Sequence, residues 1–475
     1  MDLGSSIFLF LFLPCILAVY YLLGKKAKNV FLFIVNLFLY TFSEPVFILF
    51  LLASMAINFG SALLIKRYEE SRPNWAKAIM ILTVCLHLSG LVYFKYFTFL
   101  GESLNAILGW VGIPKMAIAK IALPIGISFF TFQAISYVVD VYKKQVQPVR
   151  NFIKFGVYFS LFAQITAGPI VRYKDVENQL DERVITIDTV AGGLKRFLIG
   201  LSQKILLANY FGKIANEVFT TAAVSLGGAT AWVGILFYTL QIYFDFAGYS
   251  SMAIGLAKML GFTLKENFNY PYISDSVTDF WRRWHISLST WFRDYVYFSL
   301  GGNRKGKFRM YLGLFLVFLL SGIWHGASWN FFVWGLYHAI FIMLEKTPFV
   351  KRLSEKTPKV LKHLFTMLIV IVGWVFFRAN DLTYAFEFLG SMLFIHGVSA
   401  GMPLLSPAVI LLAVASVFGA TPLLSKCKER IQASGNRALI LTAEILSWIV
   451  LLALFALCLP VILSGTSTPF IYTQF

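Results

Sequence analysis

Apolar runs long enough to cross a bilayer recur from one end of this chain to the other, and short polar clusters interrupt them. They fall near residues 6–23, 29–42, 45–65, 76–98, 121–142, 152–169, 190–210, 230–260, 310–322, 328–345, 363–378, 404–421 and 438–463. About 20 apolar residues in a helix cover the ~30 Å hydrocarbon layer, and only structures that satisfy their own backbone hydrogen bonds survive there. The pattern therefore predicts an all-α polytopic integral membrane protein with about ten to twelve membrane segments, some of them tilted, short or re-entrant. It reads as one membrane-embedded domain over residues 1–475. Within it lie N-terminal helices (1–120), a catalytic core (121–345), and a basic loop followed by C-terminal helices (346–475).

Composition agrees with this pattern. Hydrophobic residues make up 58% of the 475 positions and charged residues 13%, about half the charged share of a soluble domain. Residues 6–23 lack a basic leader and are followed by Lys25, Lys26 and Lys28, so they read as a retained first helix with its C-terminal flank in the cytoplasm.

The formal charge of +18 sits mostly in connections. Residues 346–362 carry Lys346, Lys351, Arg352, Lys356, Lys359 and Lys362 against Glu355, and read as a cytoplasmic loop. Residues 282–309 are similarly basic. Such patches attract anionic membrane lipids and also suit a phosphorylated donor substrate. Nucleic acid is a poor partner for them, because the basic residues flank apolar segments and no soluble domain presents a recognition surface. The four cysteines are scattered without a CxxC pair, and no HExxH arrangement occurs. Neither a redox centre nor a metal site is expected.

Two polar stripes cross apolar segments. In the first, Gln133, Ser136, Tyr137 and Asp140 are three or four residues apart and share one helical face beyond the breakers Pro124 and Gly126. In the second, Gln241, Asp245 and Tyr249 are spaced by four. A polar stripe in lipid must face the protein interior or a wet cavity, so these positions either glue helices together or line a substrate tunnel. The Asp245 carboxylate must be paired, hydrogen-bonded or protonated: it is expected either to pair structurally with a central arginine, to act directly in the site, or to line a water-filled pathway.

The stretch from Phe268 to Gly302 holds too many charges for a lipid-exposed span and too many aromatic residues for a loop. It is expected to lie at the membrane surface or dip into it, with His285 directed inward and some arginines toward water. Read as one helix, it stacks Trp281, His285 and Ser289 at intervals of four. It also places Asp279 within reach of Arg282 and Arg283, while adjacent Arg293 and Asp294 point apart. His285 serves either as part of an interfacial helix or in substrate binding and proton movement.

The sharpest candidate is His325, in Ser321-Gly-Ile-Trp-His-Gly-Ala-Ser-Trp-Asn330 between two apolar runs. An imidazole there loses hydration and must find partners inside the protein or line a polar cavity. Gly322 and Gly326 permit a close approach or a bend, and Trp324, Trp329 and Trp334 are suited to wall a cavity, with Asn330 beside them. His338, thirteen positions on, falls nearly opposite around an uninterrupted helix and reads as a packing or loop-facing residue unless a kink reorients it.

An imidazole accepts a proton from a hydroxyl and returns one to a leaving group near neutrality. With no well-placed cysteine nucleophile, direct transfer of an acyl group from a thioester to a hydroxyl is the simplest chemistry, with His325 as the base.

Four stretches carry a resemblance: LPIGISFFTFQAISYVVDVYK at 123–143, QIYFDFAGYSSMAIGLAKMLGF at 241–262, FWRRWHISLSTWFRDYVYFSLGGNR at 280–304, and SGIWHGASWNFFVWGLYHA at 321–339. Together they resemble the membrane-bound O-acyltransferase family, in particular its bacterial branch that O-acetylates alginate and other exopolysaccharides. The resemblance implies tilted helices around a basin or tunnel, and it makes His325 the catalytic histidine, with His285 in the central site. Asp279, Trp281, Arg282 and Arg293 then belong to the accompanying motif.

The resemblance further implies acetyl-CoA as donor, no permanently bound cofactor, and a multi-pass protein of the bacterial cytoplasmic membrane. The expected partners are an extracytoplasmic acetyltransferase protein and the polysaccharide biosynthesis machinery. D-Alanyl transfer from an acyl carrier protein toward teichoic acid is the alternative within the family. A transporter or flippase, and a non-catalytic membrane scaffold, are the alternatives outside it.

Overall fold

A computed structural model describes residues 3–166, 168–395, 401, 405–466 and 470–471. The described residues form helices joined by loops. In chain order these are α1 (Leu13–Leu22), α2 (Lys25–Ser43), α3 (Ile48–Tyr68), α4 (Pro73–Leu91), α5 (Phe97–Trp110), α6 (Ile127–Tyr142), α7 (Phe152–Ser160), α8 (Tyr173–Val176), α9 (Ile187–Ser202), α10 (Asn209–Phe219) and α11 (Gly228–Met259). The second half holds α12 (Val277–Arg283), α13 (Ile286–Phe292), α14 (Lys307–His325), α15 (Trp329–Glu345), α16 (Pro348–Lys356), α17 (Lys359–Arg378), α18 (Leu382–Met392), α19 (Pro407–Gly419), α20 (Leu423–Ala433) and α21 (Arg437–Leu463).

Among the described residues five helices are long and apolar enough to cross a membrane: 48–68, 73–110, 307–325, 359–378 and 437–463. A sixth span exists if α19 and α20, bent by 55°, are one broken element. Other apolar runs give shorter or interrupted helices. Residues 121–126 stay outside α6 because Pro124 and the left-handed Gly126 (φ +77°) delay its start. The run expected over 152–169 is helical only to Ser160, where Leu161 turns the backbone extended.

The chain divides into two compact units. The first comprises residues 1–194, 253–265 and 475, and the second 195–252 and 266–474. In the first unit α3, α4 and α6 pack together and α7 lies on α2. Polar side chains tie these helices internally. Asn58 donates to the Ala134 carbonyl at 3.0 Å, and His87 sits between Ser54 Oγ (3.0 Å) and the Thr83 carbonyl (2.9 Å). The hydroxyl of Tyr137, a proposed tunnel residue, accepts the Val149 amide at 2.9 Å. The Asp140 carboxylate lies 3.1 Å from Lys174. Gln133 is buried beside them, its carbonyl accepting from Ser136 Oγ at 2.9 Å. Tyr137 is thereby tied to the segment before α7, and Asp140 to α8.

In the second unit α14 packs along α15, α15 against α17, and α12 against both α15 and α17. The α14–α15 contact is built on glycine. A Cβ at Gly322 would lie 2.9 Å from the Gly335 Cα, and one at Gly335 would lie 2.6 Å from the Phe318 carbonyl oxygen. Only hydrogen at both positions lets the two backbones meet.

Candidate active site

The site grows from two chain breaks in the second unit. The first ends α14 at His325, where Gly326 (φ −166°, ψ 154°) turns the backbone extended. The chain remains extended at Ser328 before α15 begins at Trp329. His325 is therefore the last residue of a membrane-spanning helix, and only 3% of its surface is exposed. Its ring meets Trp324 at 5.0 Å between centroids, Trp334 at 5.1 Å and Phe377 of α17 at 5.2 Å, with Phe331 at 6.5 Å.

The second break separates α12 from α13. His285 stands there in the left-handed region (φ +45°, ψ 55°), an unfavourable conformation for a residue with a Cβ. One helix face therefore does not carry Trp281, His285 and Ser289 together, as a continuous helix would. The turn instead buries His285 to 1% exposure. Its Nδ1 lies 3.1 Å from Asn267 Oδ1, and its ring meets Phe246 at 4.7 Å and Trp324 at 6.1 Å.

Trp281 joins the same aromatic body, at 5.4 Å from Trp334 and 4.9 Å from His338. His338 in turn lies 5.0 Å from Trp334. The helix is broken at Gly326 and α15 runs as a separate element, so His338 is reoriented into the same cluster and is buried there. Both imidazoles touch one indole.

Other candidates have structural or exposed positions. Asp279 pairs with Arg283 at 2.8 Å, and its amide is capped by Ser276 Oγ at 3.0 Å. Ser289 is half-buried and its amide donates to the His285 carbonyl, closing the first turn of α13. Arg293 is exposed and pairs with its neighbour Asp294 at 2.9 Å. The two were expected to diverge, but the chain forms a wide π-helical turn over Arg293–Tyr297. Trp329 is 53% exposed and packs on Phe332. Asn330 is buried and donates to the Ala379 carbonyl at 2.6 Å, fastening the start of α15 to the end of α17.

Asp245 is paired, but with Lys204 Nζ at 2.5 Å rather than with an arginine, and it also accepts the Ile471 amide at 2.8 Å. No arginine was needed, because Lys204 lies in an equally apolar stretch and faces the same demand for a partner. Tyr249 stacks on Phe470 at 4.7 Å.

Arg282 is exposed and lines a cavity of about 880 Å³ together with Glu345, Lys346, Lys351 and Lys362. Glu345 accepts from the Val277 amide (2.6 Å), the Thr278 amide (2.9 Å) and Thr278 Oγ1 (2.5 Å), so it closes the N-terminus of α12. Burial pushes the Lys346 ammonium down from its ordinary value. Glu345 opposes that shift, and Arg282 and Lys351 add to it.

The model of the MBOAT, membrane-bound O-acyltransferase family, matches residues 36–386, which include both chain breaks. The chain belongs to the membrane-bound O-acyltransferase family. This O-acyltransferase is a multi-pass membrane enzyme. It is 42% identical over 389 residues to the probable alginate O-acetylase AlgI of Pseudomonas aeruginosa, covering 82% of this chain and 74% of that protein. It is 34% identical over 431 residues to the peptidoglycan O-acetyltransferase of Helicobacter pylori (83% and 80% covered). Identity to the teichoic acid D-alanyltransferase of Bacillus subtilis is 32% over 265 residues (52% and 65% covered).

Several residues around the two histidines escaped sequence reasoning. Phe377 and Phe246 are ordinary apolar positions with no signal of their own. Lys204 had one, as a lone cation within an apolar run. Asn267, completely buried, had only its place at the entrance to the Phe268–Gly302 stretch.

Proposed function

We propose that this enzyme transfers an acetyl group from acetyl-CoA in the O-acetylation of a polysaccharide outside the cytoplasm, with His325 as general base. One observation carries the reading: a buried histidine at the end of a helix long enough to cross a membrane, within a chain similar over 82% of its length to an alginate O-acetylase. Such a ring takes the proton of an acceptor hydroxyl as its oxygen attacks the thioester carbonyl. When the C–S bond breaks, the imidazolium returns that proton to the departing thiolate. General-base action supplies about 10²–10⁴-fold, so alignment of donor and acceptor by the surrounding aromatic wall supplies the remainder.

The same reading places the protein in the bacterial cytoplasmic membrane, beside the polysaccharide biosynthesis machinery and an extracytoplasmic acetyltransferase partner. His285 belongs to the site, joined to His325 through Trp324. Anionic lipids meet the basic connections, including Arg282 and the 346–362 loop.

Purified protein offered acetyl-CoA and D-alanyl carrier protein in separate reactions tests the donor. Thiol release from acetyl-CoA that is lost in His325→Ala is the expected result. Turnover with the D-alanyl carrier alone overturns the acetyl assignment, and full activity in His325→Ala overturns the base.

A further inference from the structure

Asn267 is 0% exposed and sits where the loop after α11 meets the start of α13. Its backbone carbonyl accepts the Ile286 amide at 2.9 Å, and its side-chain Oδ1 accepts the Ser287 amide at 3.1 Å. These are the first two amides of α13, which the helix itself cannot satisfy. His285, the residue before them, provides no side-chain cap. Asn267 thus caps α13 from 20 positions upstream of Ser287.

This capping fixes chemistry at the neighbouring ring. A carboxamide presents either its oxygen or its NH₂, and the choice follows from the partners around it. A backbone amide is always a donor, so the atom facing Ser287 N must be the oxygen. Ser287 Oγ, at 2.8 Å, donates to the same atom. The third neighbour of that oxygen is His285 Nδ1, at 3.1 Å. An oxygen has only lone pairs to offer, so Nδ1 must carry the hydrogen. In a neutral imidazole, Nε2 then holds the lone pair.

We infer that Asn267 is a positioning residue of the active site, which holds His285 as the Nδ1–H tautomer and so presents Nε2 as an acceptor. The inference rests on the proposed function for its catalytic meaning, and on geometry alone for the tautomer. Its consequence is a division of labour. Neutral His285 accepts a hydrogen bond or a proton through Nε2, from an acceptor hydroxyl or from the thiol released. It does not donate to the oxyanion. A hydrogen bond at one ring nitrogen of a histidine fixes its tautomer and ring direction.

The test is ¹⁵N spectroscopy of the full-length protein, labelled at its histidines and reconstituted in lipid, with the His285 signals assigned by their loss in His285→Gln. The expected spectrum shows a protonated Nδ1 and a bare Nε2 at His285. A protonated Nε2 with a bare Nδ1 overturns the inference, whatever the enzyme turns over.

Two variants extend the test. Asn267→Asp keeps the accepting oxygen and adds a charge that stabilises the imidazolium. It should preserve the tautomer and move the acidic limb of the kcat profile for acetyl-CoA thiol release to higher pH. Asn267→Ala should lose the single tautomer and lower kcat, by no more than the about 10²–10⁴-fold that general acid–base catalysis supplies, with KM little changed. If Asn267→Ala does not fold, Asn267→Asp decides: an acidic limb that does not move overturns the role of Asn267. A single Nδ1–H tautomer retained in folded Asn267→Ala overturns the role of Asn267. A silent acetyl-CoA assay alongside the expected tautomer faults only the proposed donor.

Discussion

His285 and His325 pack against the same indole, that of Trp324, with ring centroids at 6.1 and 5.0 Å. They come from different chain breaks, one between α12 and α13 and the other between α14 and α15, and Trp324 is their common wall. His325→Ala is expected to lower thioester turnover by about 10²–10⁴-fold while the protein remains folded. Trp324→Phe, which keeps a flat ring between the two, should retain most of the activity, and Trp324→Ala should not. Thiol release from acetyl-CoA by purified protein, alongside its thermal unfolding, measures both.

The Lys204–Asp245 pair is buried on both sides, at 3% and 2% side-chain exposure. Removing one charge leaves the other uncompensated in a dry interior, which costs about 3–5 kcal/mol. Lys204→Met and Asp245→Leu should each lower the unfolding temperature sharply, and the double substitution should lower it less than either alone. Thermal unfolding in detergent of the four proteins forms the cycle. Additive losses would show that the two residues do not share an interaction.

Gly322→Ala places a methyl group against the Phe331 carbonyl and the backbone of Gly335. The two helices must part, at a cost of about 1–3 kcal/mol, and His325 moves with the end of α14. Stability and thiol release should fall together. Gly60→Ala is the control: its new Cβ meets no heavy atom within 4 Å, so both measurements should remain at the wild-type level or better.

Glu345→Ala leaves the Val277 and Thr278 amides and Thr278 Oγ1 without their acceptor at the start of α12. Hydrogen bonds to a charged group are worth about 1.5–3 kcal/mol, so a loss of that size or more is expected. Glu345→Gln, which keeps an accepting oxygen, should recover part of it. By contrast Asp279→Asn breaks only a half-exposed pair with Arg283 and should change stability by less than about 1 kcal/mol. Chemical or thermal unfolding of the three variants ranks them.

The all-helical membrane fold was legible in hydropathy, because lipid admits few alternatives to a helix. That His325 must find partners inside the protein was legible for the same reason, as an imidazole in an apolar run is costly to leave unsatisfied. The demand of Asp245 for a partner could be read too, though not its identity, since pairing Lys204 with it requires two helices to meet across 41 positions. Periodicity misled wherever the helix broke. Trp281, His285 and Ser289 lost their common face at a left-handed residue, and His338 joined the cluster because the chain turns after His325. Such breaks depend on tertiary partners such as Asn267, which a local pattern does not contain.

The placement of His325 at the end of a 19-residue helix fixes a length as well as a neighbourhood. At 1.5 Å per residue, the rise from Lys307 to the imidazole is ~27 Å, close to the full ~30 Å thickness of the hydrocarbon layer when the helix stands upright. With the proposed acetyl-CoA donor entering from the Lys307 end, the acyl group would have to reach along that whole length to bring its carbonyl to the ring. A hydroxyl arriving from the opposite face needs to descend only a short way.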